Sequence, residues 1–172
     1  MGEISFPAIA CSPHLGSPNK GLTPFASTGS GTPNAWHQLF DSTLDAAIVA
    51  FYPKLPSNFT TTNLALEVIY VKNNTSVQIV TFQLDLTFNG PTSPAYTITI
   101  ISADEGDEDD ATTSATAYKP EMHSVSPSDN LHDATAGNEV AITLWMLGAT
   151  GTNHSLTSDL QVRGITLVWD DA

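Results

Sequence analysis

The chain has 172 residues, with 18 Asp and Glu against five Lys and Arg for a formal net charge of −13, and only 13% of its residues are charged. That length suits one domain with a core that needs no staples, and the scattered basic residues Lys20, Lys54, Lys72, Lys119 and Arg163 supply no patch for nucleic acid. The single cysteine, Cys11, excludes an internal disulfide, and no segment has the length and apolarity of a transmembrane span, so neither a nucleic-acid nor a membrane partner is expected.

Residues 1–34 differ in composition from the rest of the chain. Pro7, Pro13, Pro18, Pro24 and Pro33 are spaced through Gly, Ser and Thr, with Ile4, Phe6, Ile9, Leu15, Leu22 and Phe25 among them. Prolines at this density rule out a helix and any central strand, so an extended arm is expected. Its apolar residues need a surface to lie on, and composition leaves open whether that surface is the chain's own domain or a neighbour. The opening residues, Met1 to Pro7, lack the basic start and apolar run of a signal peptide, which implies synthesis in a cytoplasm.

From Trp36 the strand signals become dense. Trp36–Asp41 and Leu44–Tyr52 read as strands, the second ended by Pro53-Lys-Leu-Pro56. Leu64, Leu66, Val68 and Tyr70 alternate with period two. After the turn-like Lys72–Ser76 comes a long strand with Val80, Phe82, Leu84, Leu86 and Phe88 on one face and Gln83, Asp85 and Thr87 on the other. Tyr96, Ile98 and Ile100 begin a further strand that runs into Asp104-Glu-Gly-Asp-Glu-Asp-Asp110.

Between Asp104 and Gly137 the periodicity fades, although Tyr118–Pro120 and Met122–Val125 suit short edge strands and Ser128–Ala136 one helical turn. The chain then closes on two strands joined by a polar loop, a terminal hairpin. In the first, Val140, Ile142, Leu144 and Met146 alternate with Ala141, Thr143, Trp145 and Leu147. In the second, Leu160 and Val162 share one parity while Ile165, Leu167 and Trp169 share the other, with Gly164 at the change of phase. A β-bulge does this, because an inserted residue restores the apolar face after a one-residue slip. These signals predict an all-β fold, a single jelly-roll β-sandwich of about eight antiparallel strands in residues 35–172 with an extended N-terminal arm over 1–34.

Few residues point to chemistry. The acidic run is a solvated loop or a seat for a hard cation, with Asp104, Asp107 and Asp109 as the calcium candidates, though it lacks the EF-hand spacing. His14, His37, His123, His132 and His154 show no metal-ligand spacing, and no cofactor is expected. Cys11 with His14 would need a more rigid scaffold to act as a nucleophile, so no catalytic residue and no enzyme activity is assigned. Trp145 stands apart, since its parity is opposite to the core-facing residues of its strand; it suits a ligand platform, a subunit contact or a residue packed under the arm.

The runs Trp36-His-Gln-Leu-Phe-Asp41, Leu44–Phe51, Leu55-Pro-Ser-Asn-Phe59, Leu64–Tyr70 and Val77–Leu84, closed by Asn138–Leu144 and Asp159–Trp169, resemble the single jelly-roll structural proteins of tailed bacteriophages. Two departures stand out: Trp145-Met-Leu-Gly148 replaces an Arg-Asp pair, and the Pro-rich arm lies outside the shared domain. The resemblance implies a virion protein, a head decoration (cement) protein that binds the major capsid protein on the capsid surface as a homotrimer. The arm residues Ile4, Phe6, Ile9, Leu15, Leu22 and Phe25 would then bridge adjacent subunits. The alternative is a receptor-binding or carbohydrate-binding module of a tail or fibre, with Trp145 as its contact.

Overall fold

The computed structural model describes residues 1–14, 22–25, 35–89, 99–102, 108–127 and 134–171, with the side chains of 22–25, 35–37, 89 and 99–102 left aside. Among these, the strands in chain order are β1 (Gly2–Pro7), β2 (Ser12–Pro13), β3 (Leu22–Phe25), β4 (Ala35–Phe40), β5 (Asp45–Tyr52), β6 (Ala65–Lys72), β7 (Ile79–Asn89), β8 (Thr99–Ser102), β9 (Asp109–Thr112), β10 (Glu121–Val125), β11 (Glu139–Leu147) and β12 (Leu160–Trp169). One sheet has the order β10-β6-β12-β4-β3 with β1 also on β12; the other has β2-β5-β11-β7-β8 with β9 also on β7. All pairings are antiparallel. The chain changes layer between β1 and β2, at each step from β4 through β7, between β9 and β10, and between β11 and β12, which is the jelly-roll β-sandwich that alternating apolar strands predicted.

The core is the set of apolar parities read from sequence. Ile48, Leu66, Val68, Val80, Phe82, Leu86, Val140, Ile142, Leu144, Met146, Leu160, Val162, Leu167 and Trp169 are all buried between the sheets. Each such side chain contributes roughly 1.5–3 kcal/mol by leaving water. Trp169 is 1% exposed, donates from Nε1 to the Asn58 carbonyl at 3.0 Å, and has its ring 5.2 Å from that of Phe59. The Leu55–Phe59 turn therefore plugs one end of the sandwich. Its Leu55 N–H reaches the Asn138 carbonyl at 2.6 Å, and the Gly137 N–H returns to the Leu55 carbonyl at 2.9 Å. Gly137 has φ +87°, a conformation that few other residues adopt.

The bulge falls where the change of parity placed it. β12 pairs residue for residue with β6 until Val162↔Tyr70 and resumes at Gly164↔Ile69, with Arg163 as the extra residue. A side chain on Gly164 would begin 3.0 Å from the Phe6 carbonyl oxygen, so the missing Cβ is what lets β1 approach here.

One sequence expectation is corrected. The closing strands are not a hairpin: β11 pairs with β5 and β7 in one sheet, whereas β12 pairs with β6, β4 and β1 in the other. Both are central strands whose edges are already taken, so the polar loop between them spans the sandwich. Residues 1–14, whose resting surface composition left open, lie on the chain's own domain. β1 runs along β12 from Gly2↔Trp169 to Pro7↔Gly164, with Ile4 and Phe6 9% and 6% exposed in the shared core. A turn of 3₁₀ helix, Ala8–Ala10, then carries the chain to β2, which pairs with β5 in the opposite sheet. The prolines still obey their rule, since Pro7 and Pro13 sit at strand ends.

Smaller differences have local chemical causes. Tyr118 lies in a turn with φ 58° rather than a strand, while Met122–Val125 falls within β10 as expected. Asp109 and Asp110, expected in a loop, open β9. Tyr96, Ile98 and residues 128–133 lie outside the described residues. Lys72 is buried although charged: its ammonium donates to the Asn74 carbonyl at 2.8 Å, to Asn74 Oδ1 at 2.7 Å and to the Ser76 carbonyl at 2.7 Å. It thereby shapes the β6–β7 turn; burial pulls its pKa down, and the Glu121 charge opposes this.

Docking of β1 has a measurable consequence. Phe6→Ala is expected to lower the unfolding free energy in urea by about 3 kcal/mol, the cost of emptying a core site. A segment peripheral to the domain would give less than about 0.5 kcal/mol.

Candidate binding cleft

The outer face of the β5-β11-β7 sheet carries an open cleft of about 570 Å³ lined by Asp45, Gln83, Asp85, Glu108, Trp145, Leu147, Thr150 and Thr152. Strand register explains the gathering. Trp145 on the central strand β11 lies opposite Gln83 of β7 and Ala47 of β5, Thr143 lies opposite Asp85, and Leu147 opposite Asp45. Period two sends all of these to the face away from the core. The loop after β11 and the residue before β9 add the walls.

The indole and the three carboxylates of the cleft are each held by a neighbour. The Trp145 indole Nε1–H donates to Asp85 Oδ2 at 2.7 Å, and the Gln83 amide donates to Asp85 Oδ1 at 3.3 Å. Asp45 Oδ1 accepts from the backbone N–H of Ala149 at 2.8 Å and of Thr150 at 3.1 Å, which ties the loop after β11 to β5. Glu108 accepts from the Thr152 N–H at 2.7 Å and, through its other oxygen, from the Thr152 hydroxyl at 3.3 Å. Behind Trp145, the His14 ring lies 5.0 Å away at 51°, placed by its own N–H bond to the Ala47 carbonyl at 2.9 Å. The indole is thus fixed by a charged hydrogen bond at one side and a ring contact at another, while part of it faces the cleft.

The wall after β11 is braced from beneath by His154. The Thr81 N–H donates to His154 Nδ1 at 3.3 Å, an arrangement that requires the neutral ring, and Ser155 closes on β7 through its Oγ, which accepts from the Ile79 N–H at 2.8 Å. Asp110 accepts from the Thr81 hydroxyl at 2.7 Å and from the Asn153 amide at 2.7 Å. Burial lowers the pKa of His154, opposed by the Ser42 backbone and by the charges of Asp110 and Asp45.

Of the residues singled out from sequence, Trp145 is in the cleft. Of the described arm residues, Ile4 and Phe6 are in the core and Ile9 is 63% exposed on the 3₁₀ turn. Leu15 is outside the described residues, as are the side chains of Leu22 and Phe25 on β3. Asp104 and Asp107 also lie outside them, and Asp109 instead pairs with His123 Nε2 at 2.7 Å. Among the described residues no three His, Cys, Asp or Glu side chains converge as metal ligands. Cys11 and His14 do not form a nucleophile pair: the thiol is packed in the core, where burial pushes its pKa up to about 11, while His14 lies on Trp145 outside.

Sequence reasoning missed Asp45, Gln83, Asp85, Glu108, Thr150 and Thr152. Gln83 and Asp85 carried a usable signal, polar residues of one parity inside an apolar strand, but linking them to Trp145 needs the β7–β11 register. Asp45 reaches the cleft through the β5–β11 register, and Glu108 through the loop ahead of β9.

No family model matches the chain, and no curated protein matches it. Among solved structures the chain is similar to the CBM36-1 domain of a multidomain xylanase from the hindgut metagenome of Trinervitermes trinervoides, at 10% identity over 97% of each chain with a TM-score of 0.49. It is similar also to the CBM22-1 xylan-binding domain from Paenibacillus barcinonensis Xyn10C, at 9% identity over 96% of this chain and 94% of that one, TM-score 0.45. A third is CBM28, a carbohydrate-binding module specific for non-crystalline cellulose, at 10% identity over 94% and 86%, TM-score 0.45. At this level of likeness they assign no function to the chain.

The brace under the cleft makes stability depend on pH. An unfolded histidine takes up its proton near pH 6.5, whereas folded His154 does so only at lower pH. Its contribution is therefore complete above about pH 6.5 and is lost as pH falls below it, because the unfolded state then binds the extra proton. In denaturant titrations at pH 7 and pH 5.5, His154→Gln is expected to show a smaller drop in stability between the two than the parent chain. An equal drop would show that the ring does not titrate this way.

Proposed function

We propose that the chain is a non-catalytic binding module that holds a saccharide in the cleft on the β5-β11-β7 face. The observation that carries this reading is the Trp145 indole, locked by Asp85 with part of its ring facing an open cleft whose rim bears the Gln83 amide and the Thr150 and Thr152 hydroxyls. A sugar ring presents an apolar face of C–H groups and a belt of hydroxyls. An aromatic surface takes the first, and fixed amide, hydroxyl and carboxylate groups take the second.

A glycan array followed by calorimetry tests this. At least one oligosaccharide class is expected to bind, with Trp145→Ala lowering affinity by about tenfold, a loss of roughly 1.4 kcal/mol, while the melting temperature stays near that of the parent. Unchanged affinity in that variant would remove the cleft from the reading.

A virion role, with the major capsid protein and a homotrimer as partners, is the second reading. In that reading Ile9, 63% exposed on the 3₁₀ turn, would be the N-terminal residue that meets a neighbour. Cosedimentation with undecorated capsids of a tailed phage is expected to be lost in Ile9→Ser if that contact forms, and retention would exclude Ile9 from it.

A further inference from the structure

We infer that the cleft prefers saccharides bearing free amino groups, cationic glycans such as glucosamine oligomers, over neutral or acidic ones; this deepens the saccharide reading and rests on it. The charged groups lining the cleft are Asp45, Asp85 and Glu108, with no Lys or Arg among the lining residues. They come from three separate parts of the chain, β5, β7 and the residue before β9, so the gathering is a product of the fold rather than of one acidic run.

Three carboxylates at one cleft repel one another, and a chain of net charge −13 adds to the negative field there. A uronate would meet that field unfavourably. A neutral sugar would have its hydroxyls served by the Gln83 amide and the threonines, but would leave the carboxylate charge uncompensated. An ammonium group on a sugar ring offsets the charge directly. The same ring stacked on Trp145 would bring its ammonium close to the indole face, where the ring quadrupole attracts a cation. The carboxylates are held in place beforehand: Asp85 by the indole itself at 2.7 Å, Asp45 by the Ala149 N–H at 2.8 Å, and Glu108 by the Thr152 N–H at 2.7 Å. Little side-chain freedom is then lost when a cation arrives.

Calorimetry at pH 6, where sugar amines carry charge, tests this with glucosamine oligomers, N-acetylglucosamine oligomers of equal length and galacturonate oligomers. The amino form is expected to bind about tenfold more tightly than the acetylated form, and the uronate not measurably. Raising salt from about 0.05 to about 0.5 M should weaken the amino-sugar complex of the unmodified protein by about tenfold and leave any acetylated complex nearly unchanged. Asp45→Asn and Glu108→Gln should each weaken the amino-sugar complex by about threefold, with melting curves confirming that the variants are folded. Equal affinity for acetylated and free-amine oligomers, with no salt response, would overturn the charge selectivity while leaving the saccharide reading intact. Binding of oligolysine as tight as that of the amino sugar would overturn sugar recognition in favour of a plain cation site. Failure of every saccharide, charged or neutral, would overturn the reading of the cleft itself.

Discussion

Strand β12 is hydrogen-bonded along both of its edges, and the rest of the fold depends on how its second edge is shared. One edge belongs to β6 throughout. The other is taken by β4 over Leu160–Val162 and by β1 over Gly164–Trp169. The bulge at Arg163 falls where one partner yields to the other, and Gly164 lets the end of β1 come close. The junction leaves backbone carbonyls in a buried place, which would be costly unpaired. Buried Gln38 at the end of β4's pairing answers this: its amide donates to the Ala8 carbonyl at 3.0 Å and the Cys11 carbonyl at 2.8 Å. A single side chain thus stitches β4 to the segment leaving β1, and sends that segment on to β2 in the opposite sheet.

The second sheet repeats the device. β7 gives one edge to β11 and divides the other between β8, along Asp85–Phe88, and β9, along Ile79–Phe82. This division brings the acidic stretch preceding β9 to the rim of the cleft, because Glu108 stands just ahead of the strand that pairs with Ile79–Phe82. It also places Asp109 against His123 of β10, a contact between the borders of the two sheets. The charge that looked from sequence like a free loop is, from residue 108 onward, built into the sheet and its loops.

Strand parity was legible in the sequence because the core obeys it: Val80 to Phe88, Val140 to Met146 and the split phase of β12 each named their buried face. The bulge was legible for the same reason, since a two-residue period can change phase only where a residue is inserted. What was not legible was partnership. β11 and β12 are neighbours in sequence joined by a polar loop, the pattern of a hairpin, yet each had two other partners available and they went to different sheets. Residues 1–14 looked like an arm because proline counts against central strands. Nothing local states that β4 leaves half of an edge of β12 empty, and Ile4 and Phe6 fill it. The cleft was hidden for a related reason. Trp145 was visible from its parity, but its companions come from β5, β7 and two loops, and only register and crossovers bring them to one place.

The contrast between two tryptophans shows how one residue type serves both ends of this architecture. Trp169 closes the core, packed by Phe59, with its indole N–H on a backbone carbonyl; packing orients that ring, and the hydrogen bond satisfies the buried donor. Trp145 stands on the outer face, where fewer neighbours restrict its rotamer. There the acceptor is the carboxylate of Asp85, and a bond to a charged acceptor is roughly twice as strong as one between neutral groups. The stronger bond, with His14 against the ring, replaces the restraint that a core would supply. In the proposed binding role, a ligand would stack on this ring without first ordering the side chain that receives it.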